Sequence, residues 1–246
     1  MREIILITIN SIKNNLKSKT LVVVFVCVTL MIAAGLAIFF CLLLIAPEMN
    51  KSLPDRVQLE LYLSLIMYTT CLVCMGINMN VFAFQSMTKE KSRGNIESLL
   101  ATPLGVKHIW IAKSLSVFIP GMIFGEFLTF IAMLAVNYIF FVPRFGFIYT
   151  YWIGLNSFLI VPIIYLCLSL LVHLVGLTGK PATGNIIVQI FLPVALTLMI
   201  NLLLRNIMVA SSWSFTLINL VIASIIAIII IILNPRITRE RIVLSC

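Results

Sequence analysis

Charge is scarce in this chain and histidine scarcer still. Asp, Glu, Lys and Arg together make up 10% of the 246 residues while 62% are hydrophobic, and the mean hydropathy is +1.17. That balance excludes an ordinary soluble domain and points to a polytopic membrane protein. His108 and His173 are the only histidines, and neither a His-Glu-x-x-His zinc helix nor a Gly-x-Ser-x-Gly elbow occurs, so hydrolase chemistry lacks its usual parts. A phosphate-cradling loop is missing too. The nearest stretch, GLTGKP at 176–181, has its first glycine at the wrong spacing and Pro181 where Ser or Thr would hold magnesium. The chain is therefore expected not to hydrolyse ATP by itself and to bind no cofactor or metal of its own. Internal repeats, low-complexity segments and heptads are also lacking.

What is present is hydrocarbon in long runs. A helix needs about 20 apolar residues to cross a core roughly 30 Å thick. Six runs qualify, at 21–46, 61–85, 114–141, 152–178, 184–204 and 213–233. The expected fold is an all-α, six-span bundle forming a single transmembrane domain over 1–246. The last two spans are the weakest, because only residues 205–212 separate them. The first run is far longer than the apolar core of a signal peptide and shows no cleavage site, so it is expected to stay in the protein. Cys27, Cys41, Cys71, Cys74 and Cys167 fall inside spans, where free cysteine behaves as a small hydrophobe. Cys71-x-x-Cys74 is accordingly weak evidence for redox or metal work, and Cys246 stands at the wrong place for a prenylation box.

The formal charge of +9 would fit nucleic acid, but its distribution fits a membrane better. With six spans, thirteen Lys and Arg residues lie on the side of the two termini and four (Lys51, Arg56, Arg144, Arg205) on the other. The positive-inside rule then places both termini in the cytoplasm, and the even span count follows from the same asymmetry. Before the first span, Ile5, Ile9, Ile12 and Leu16 recur at helical spacing, with Lys13, Asn14, Lys17 and Ser18 on other faces. This predicts an amphipathic helix over 1–19 lying in the inner membrane surface and touching lipid, either as a topology anchor alone or as a helix that also touches a cytosolic partner. The outer loops at 47–60, 142–151 and 205–212 are too short to form a domain.

Glu126 is the one acidic side chain in the middle of a span, and such a residue is a functional candidate by default. It would carry a proton, contact a cationic substrate group, or hydrogen-bond a neighbouring helix. Pro120, Gly121 and Gly125 just before it predict a kink and a Gly-x-x-x-Gly face for close helix approach. Asn78, Asn80, His173, Gln189, Asn201 and Asn219 are further polar groups at membrane depth, serving as interhelical glue or path lining.

Residues 88–103, TKEKSRGNIESLLATP, hold the densest charge. The second span is expected to run out as a solvated helix end to Arg93 and break at Gly94. A short helix then starts at Ile96, capped by Asn95 with Glu97 in its first turn, and stops at Thr102-Pro103. Ile96, Leu99 and Leu100 share one face. From the residues alone this is either a docking element for another protein or a loop packing its apolar residues on its own helix ends.

The pattern Glu90-Lys91-x-x-Gly94-x-Ile96-Glu97-x-Leu99-Leu100-x-Thr102-Pro103 resembles the signature of the ABC-2 type permeases, the membrane subunits of ATP-driven exporters. Lys113 sits where such proteins often place a lysine. Ser92 and Asn95 depart from the pattern, standing where Glu and Thr are frequent. The resemblance implies that 88–103 is a coupling segment docking into a separate ATP-binding subunit, which holds ATP and magnesium. Ile96, Leu99 and Leu100 would seat in its cleft, with Lys91, Arg93 and Glu97 on the rim. It further implies a second permease copy or paralogue, a prokaryotic cell membrane, no enzyme activity in this chain, and export of a drug, peptide, lipid or other hydrophobic compound. A haem-exporter-like permease of cytochrome c maturation is an alternative, and a membrane-embedded enzyme using Glu126, with or without His173, is an alternative of another class.

Overall fold

In a computed structural model, residues 2–51, 53–92, 95–102, 104–205 and 212–243 are described, and all of their regular structure is helical. The order is α1 (Arg2–Lys17), α2 (Lys19–Met49), α3 (Arg56–Ser92), α4 (Asn95–Leu100), α5 (Val106–Phe145), α6 (Tyr151–Thr178), α7 (Pro181–Leu204), α8 (Trp213–Leu233) and α9 (Arg239–Val243). Six of these, α2, α3 and α5 to α8, are long and apolar enough to cross a membrane, which makes this a multi-pass membrane protein. The last two spans are separate helices, and residues 206–211 between them lie outside the described residues, as does Cys246.

The helix α3 is the hub. In its most apolar window 78% of residues are buried inside the protein, against 17% for α2 and 28% for α8. Its mean hydropathy, 1.6, is the lowest of the six, and that of α8, 3.0, the highest. A helix wrapped by other helices can carry Ser64, Thr69, Thr70 and Asn78 at full burial, whereas one facing lipid must be apolar nearly all round. Around α3 the core runs from Phe25 and Phe40 of α2 through Val117 and Met133 of α5 to Tyr165, Val188 and Phe215.

Two spans start more than a helical turn before their apolar runs. Asp55 caps α3, its carboxylate accepting from the Val57 N–H at 2.9 Å, so the helix begins at Arg56. The third span begins at Val106, two turns before residue 114. Four spans also contain a π-helical turn: Cys41–Ile45, Met79–Ala83, Asn137–Phe141 and Asn156–Ile160. Three of the four turns start at or just after an asparagine whose amide oxygen accepts from another part of the chain. Asn78 accepts from the Tyr165 hydroxyl at 2.8 Å, Asn137 from the Ile148 N–H at 2.7 Å, and Asn156 from the Thr216 hydroxyl at 2.9 Å.

The two ends of the bundle differ. One carries an aromatic girdle, with Trp152 stacked edgewise on both Tyr151 and Trp213 at 5.7 Å and Tyr138 on Phe147, as suits a membrane–water boundary. There the Glu48 carboxylate accepts from Lys51 Nζ at 2.6 Å, and this bond holds the Lys51 ammonium above the usual lysine range. Arg144 donates to the Met49 carbonyl. The other end gathers α1, α4, α9 and the turn between α6 and α7.

Candidate functional site

The motif-bearing segment is built into this second end. Helix α3 runs through Thr88 to Ser92, but Met87 and Glu90 are buried rather than solvated. Arg93, Gly94 and Pro103, and the side chains of Asn95 and Glu97, lie outside the described residues, so the expected break, cap and rim contacts there are not described. Beyond them α4 covers Asn95–Leu100, starting one residue before the expected Ile96. At its far end the Thr102 hydroxyl and N–H both donate to the Leu99 carbonyl, at 2.5 and 3.2 Å, closing the helix.

The apolar face of α4 does not form a free knob. Ile96 and Leu100 are 2% and 6% exposed, packed with Met87, Ile109, Trp110, Leu174, Ile237 and Ile242 of this same chain. Of the two readings the residues left open for this stripe, packing on the chain's own helix ends describes Ile96 and Leu100 in this structure. A stripe at i, i+3, i+4 covers whatever apolar surface is nearest, and here the neighbouring helix ends supply it. Ser98 faces outward and Leu99 is half-buried at the edge.

The motif's charged residues brace the segment. Glu90 and Lys113, near the facing ends of α3 and α5, form an ion pair whose side chains are 11% and 9% exposed. Lys91 reaches the turn between α6 and α7, donating from Nζ to the Gly179 carbonyl at 2.6 Å. Arg239 of α9 donates to the carbonyls of Thr102 and Leu104 at 3.3 and 2.9 Å, and the Trp110 indole N–H to the Leu170 carbonyl at 2.9 Å.

Helix α1 closes one side. Its buried stripe is Thr8 and Ser11, with the Thr8 hydroxyl 3.3 Å from the Ala112 carbonyl, while Ile5, Leu6, Ile9 and Leu16 stay exposed. The packed side thus centres on two hydroxyls flanked by half-buried Ile4, Ile7 and Ile12, while Lys13, Asn14 and Lys17 stay exposed along with Ile5, Leu6, Ile9 and Leu16. Between α1 and α4 lies an open cleft of about 520 Å³ lined by Lys13, Asn14, Lys17, Glu90, Leu99 and Lys113. Sequence reasoning treated α1 and residues 88–103 as separate features, and only folding makes them two walls of one cleft.

Deeper in the bundle, Gly121 and Gly125 allow α5 to pack closely. A Cβ on Gly121 would collide with the Tyr165 hydroxyl and stand 2.6 Å from Asn78 Oδ1, and one on Gly125 would lie 3.0 Å from Met75 Cγ. Tyr165 donates to both Asn78 and, at 3.2 Å, the Val117 carbonyl. This knot lies beside Pro120, whose missing N–H interrupts the helix ladder of α5. Asn219 likewise accepts from Tyr68 at 2.6 Å. By contrast Asn80, His173 and Asn201 bond to carbonyls of their own helices, and Gln189 is exposed. Asn137, Asn156, Tyr68 and Tyr165 were not singled out from the sequence, since an interior amide or hydroxyl gives no local sign of its partner.

Glu126 stands apart. It is half-buried at the edge of the face of α5 that packs on α3, with exposed Ile123, Phe127 and Phe130 on the adjoining surface, and among the described residues it has no hydrogen-bond or ion-pair partner. His173 is fully buried close to Lys113, about 20 Å of helix from Glu126. The two do not form a joint catalytic site. Nor do three His, Cys, Asp or Glu gather closely enough among the described residues to hold a metal ion. Cys71 and Cys74 are buried free thiols, with Cys71 Sγ donating to the Ser157 carbonyl at 3.2 Å.

Compared with models of protein families, with curated proteins and with solved structures, the chain matches none significantly.

Proposed function

We propose that this chain is the membrane-spanning permease subunit of an ABC-2 type transporter, exporting a hydrophobic compound with ATP hydrolysed by a separate subunit. The observation that carries the reading is the location of the motif. Its sixteen-residue stretch joins the second and third spans, and its short helix α4 stands at the bundle end that also bears α1 and the basic tail. The excess of Lys and Arg at that end supports a cytoplasmic orientation for it and for both ends of the chain. The outward apolar face of α1 supports its resting in the inner leaflet of a cell membrane.

In this reading α4 couples two machines. Ile96 and Leu100 anchor it to the bundle, and the outward edge, with Leu99 and Ser98 and the exposed Lys89 of α3, meets the ATPase. Because Glu90 ties α3 to α5 through Lys113, and Lys91 ties α3 to the turn between α6 and α7, displacement of the segment is passed to four spans as a unit. The spans would then rearrange against those of a second permease copy or paralogue.

The test separates anchor from contact. Wild-type protein purified from native membranes is expected to bring with it an ATPase carrying a phosphate-binding loop, detected by nucleotide photolabelling. Leu99→Asp is expected to lose that partner while unfolding like wild type. Ile96→Asp is expected to lower stability first. An L99D protein that retains the ATPase at wild-type ratio, or a wild-type protein that brings none, refutes the reading.

A further inference from the structure

We infer that Glu126 is the binding group for a cationic amphiphile that reaches it from the lipid side of the bundle. The inference rests on the transport role proposed above and adds a substrate class to it. Its ground is a charge with nothing to balance it. Glu126 lies about 20 Å along α5 from Lys113 and about 27 Å from Arg144, so it sits near mid-membrane. A carboxylate at that depth is stable only beside a partner charge, a donor or a proton.

The chain provides no such partner from within. Gly121 and Gly125 point into the contact with α3, while Glu126 looks out at the edge of the same helix, with no hydrogen bond or ion pair among the described residues. A second copy has no cation to offer either. Between residues 20 and 50, 57 and 88, 114 and 143, 145 and 179, 181 and 204, and 206 and 235 there is no Lys or Arg. The one histidine in those stretches, His173, is fully buried in its own chain. The polar side chains that a second copy exposes along its last two spans, such as Gln189, Thr197 and Asn201 on α7 and Ser224 on α8, are neutral.

The surroundings of the carboxyl also fit a particular ligand. Ile123, Phe127 and Phe130 are large, apolar and exposed on the adjoining turns. Phe130 follows Glu126 by four residues and Ile123 precedes it by three, so both stand next to it on the helix surface. Two aromatic rings and one carboxylate in a low-dielectric setting are complementary to an amine or onium group with hydrocarbon attached. A neutral lipid would satisfy the rings and leave the charge; an inorganic cation would satisfy the charge and leave the rings.

The test uses the permease alone in nanodiscs of zwitterionic lipid, so that failure of the ATPase reading does not mask the outcome. The probe is radiolabelled tetraphenylphosphonium, with triphenylphosphine oxide as its uncharged counterpart. Wild type is expected to bind the cation saturably, Glu126→Gln at least tenfold more weakly, and Glu126→Asp in between, with no change toward the neutral probe. Phe130→Lys, which places a cation four residues from Glu126, is expected to block the probe without removing the carboxyl. Equal binding by wild type and E126Q, binding unaffected by F130K, or absence of binding to wild type would overturn the inference. So would an E126Q protein whose oligomer mass changes while its probe affinity does not, since the carboxyl would then serve contact between copies.

Discussion

Breaking the Glu90–Lys113 pair tests directly how the segment between α3 and α5 is braced. Lys113→Met keeps the length and packing of the stem but leaves the Glu90 carboxylate alone, in a position where its side chain is 11% exposed. Removing one partner of a buried ion pair costs about 3–5 kcal/mol, because the survivor's desolvation is no longer offset. Both groups line the open cleft beside α1, however, so water reaches the orphan and the cost falls at the lower end, about 3 kcal/mol. For a domain of this size that corresponds to roughly 6–12 °C in Tm. Glu90→Gln should cost a similar amount. The double variant, Gln facing Met, retains the volume without an unpaired charge and should lie within about 1 kcal/mol of wild type. Thermal and denaturant unfolding of the four proteins in one detergent gives the coupling energy as a double-mutant cycle. Single variants that each cost less than about 1 kcal/mol, or a double variant that costs the sum of the two, would refute the argument that these residues form one mutually compensated unit.

Three further outcomes follow from the packing. Gly121→Ala should destabilise by about 1–3 kcal/mol through its clash with Tyr165 and Asn78; Gly125→Ala should cost less in the same unfolding assay, since its tight contact is with the flexible Met75 side chain and the Cys71 carbonyl lies at an ordinary 3.7 Å. Tyr165→Phe should cost about 1–3 kcal/mol by leaving Asn78 Oδ1 and the Val117 carbonyl short of a donor, and a neutral result would show that water replaces the hydroxyl. Ile242→Asp puts a charge into the cluster that holds Ile96 and Leu100, and is expected to speed limited proteolysis between residues 92 and 106; an unchanged cleavage rate would show that α4 is held without the tail.

The six spans were legible because a membrane imposes a length of apolar sequence that almost nothing else requires. Their ends were not, for the same reason. Where α5 leaves the hydrocarbon it continues as a helix back to Val106 through Lys107, His108 and Lys113, and hydropathy is silent about helices in polar surroundings. The apolar stripe of Ile96, Leu99 and Leu100 was equally legible as a stripe. What it would cover was not, since a partner's cleft and the chain's own helix ends present the same hydrocarbon. Glu90 and Lys113 are 23 positions apart, and Tyr165 is 87 from Asn78. Such pairs depend on how helices are arranged, which no local window contains. Pro120, Gly121 and Gly125 were the exception: small residues four apart beside a proline predict a close crossing, and that is where α5 meets α3 and Tyr165.

The contact of α9 with the segment after α4 also bears on how the protein is made. Arg239 holds the carbonyl of a residue 137 positions earlier, and Ile237 and Ile242 complete the apolar bed beneath Ile96 and Leu100. During synthesis the first three spans can be inserted long before these residues leave the ribosome. Until they arrive, the short helix between the second and third spans lacks part of its floor. A chain interrupted anywhere in its last span would therefore leave Ile96 and Leu100 on an unfinished surface, so the packing of α4 is complete only once translation has gone past residue 242.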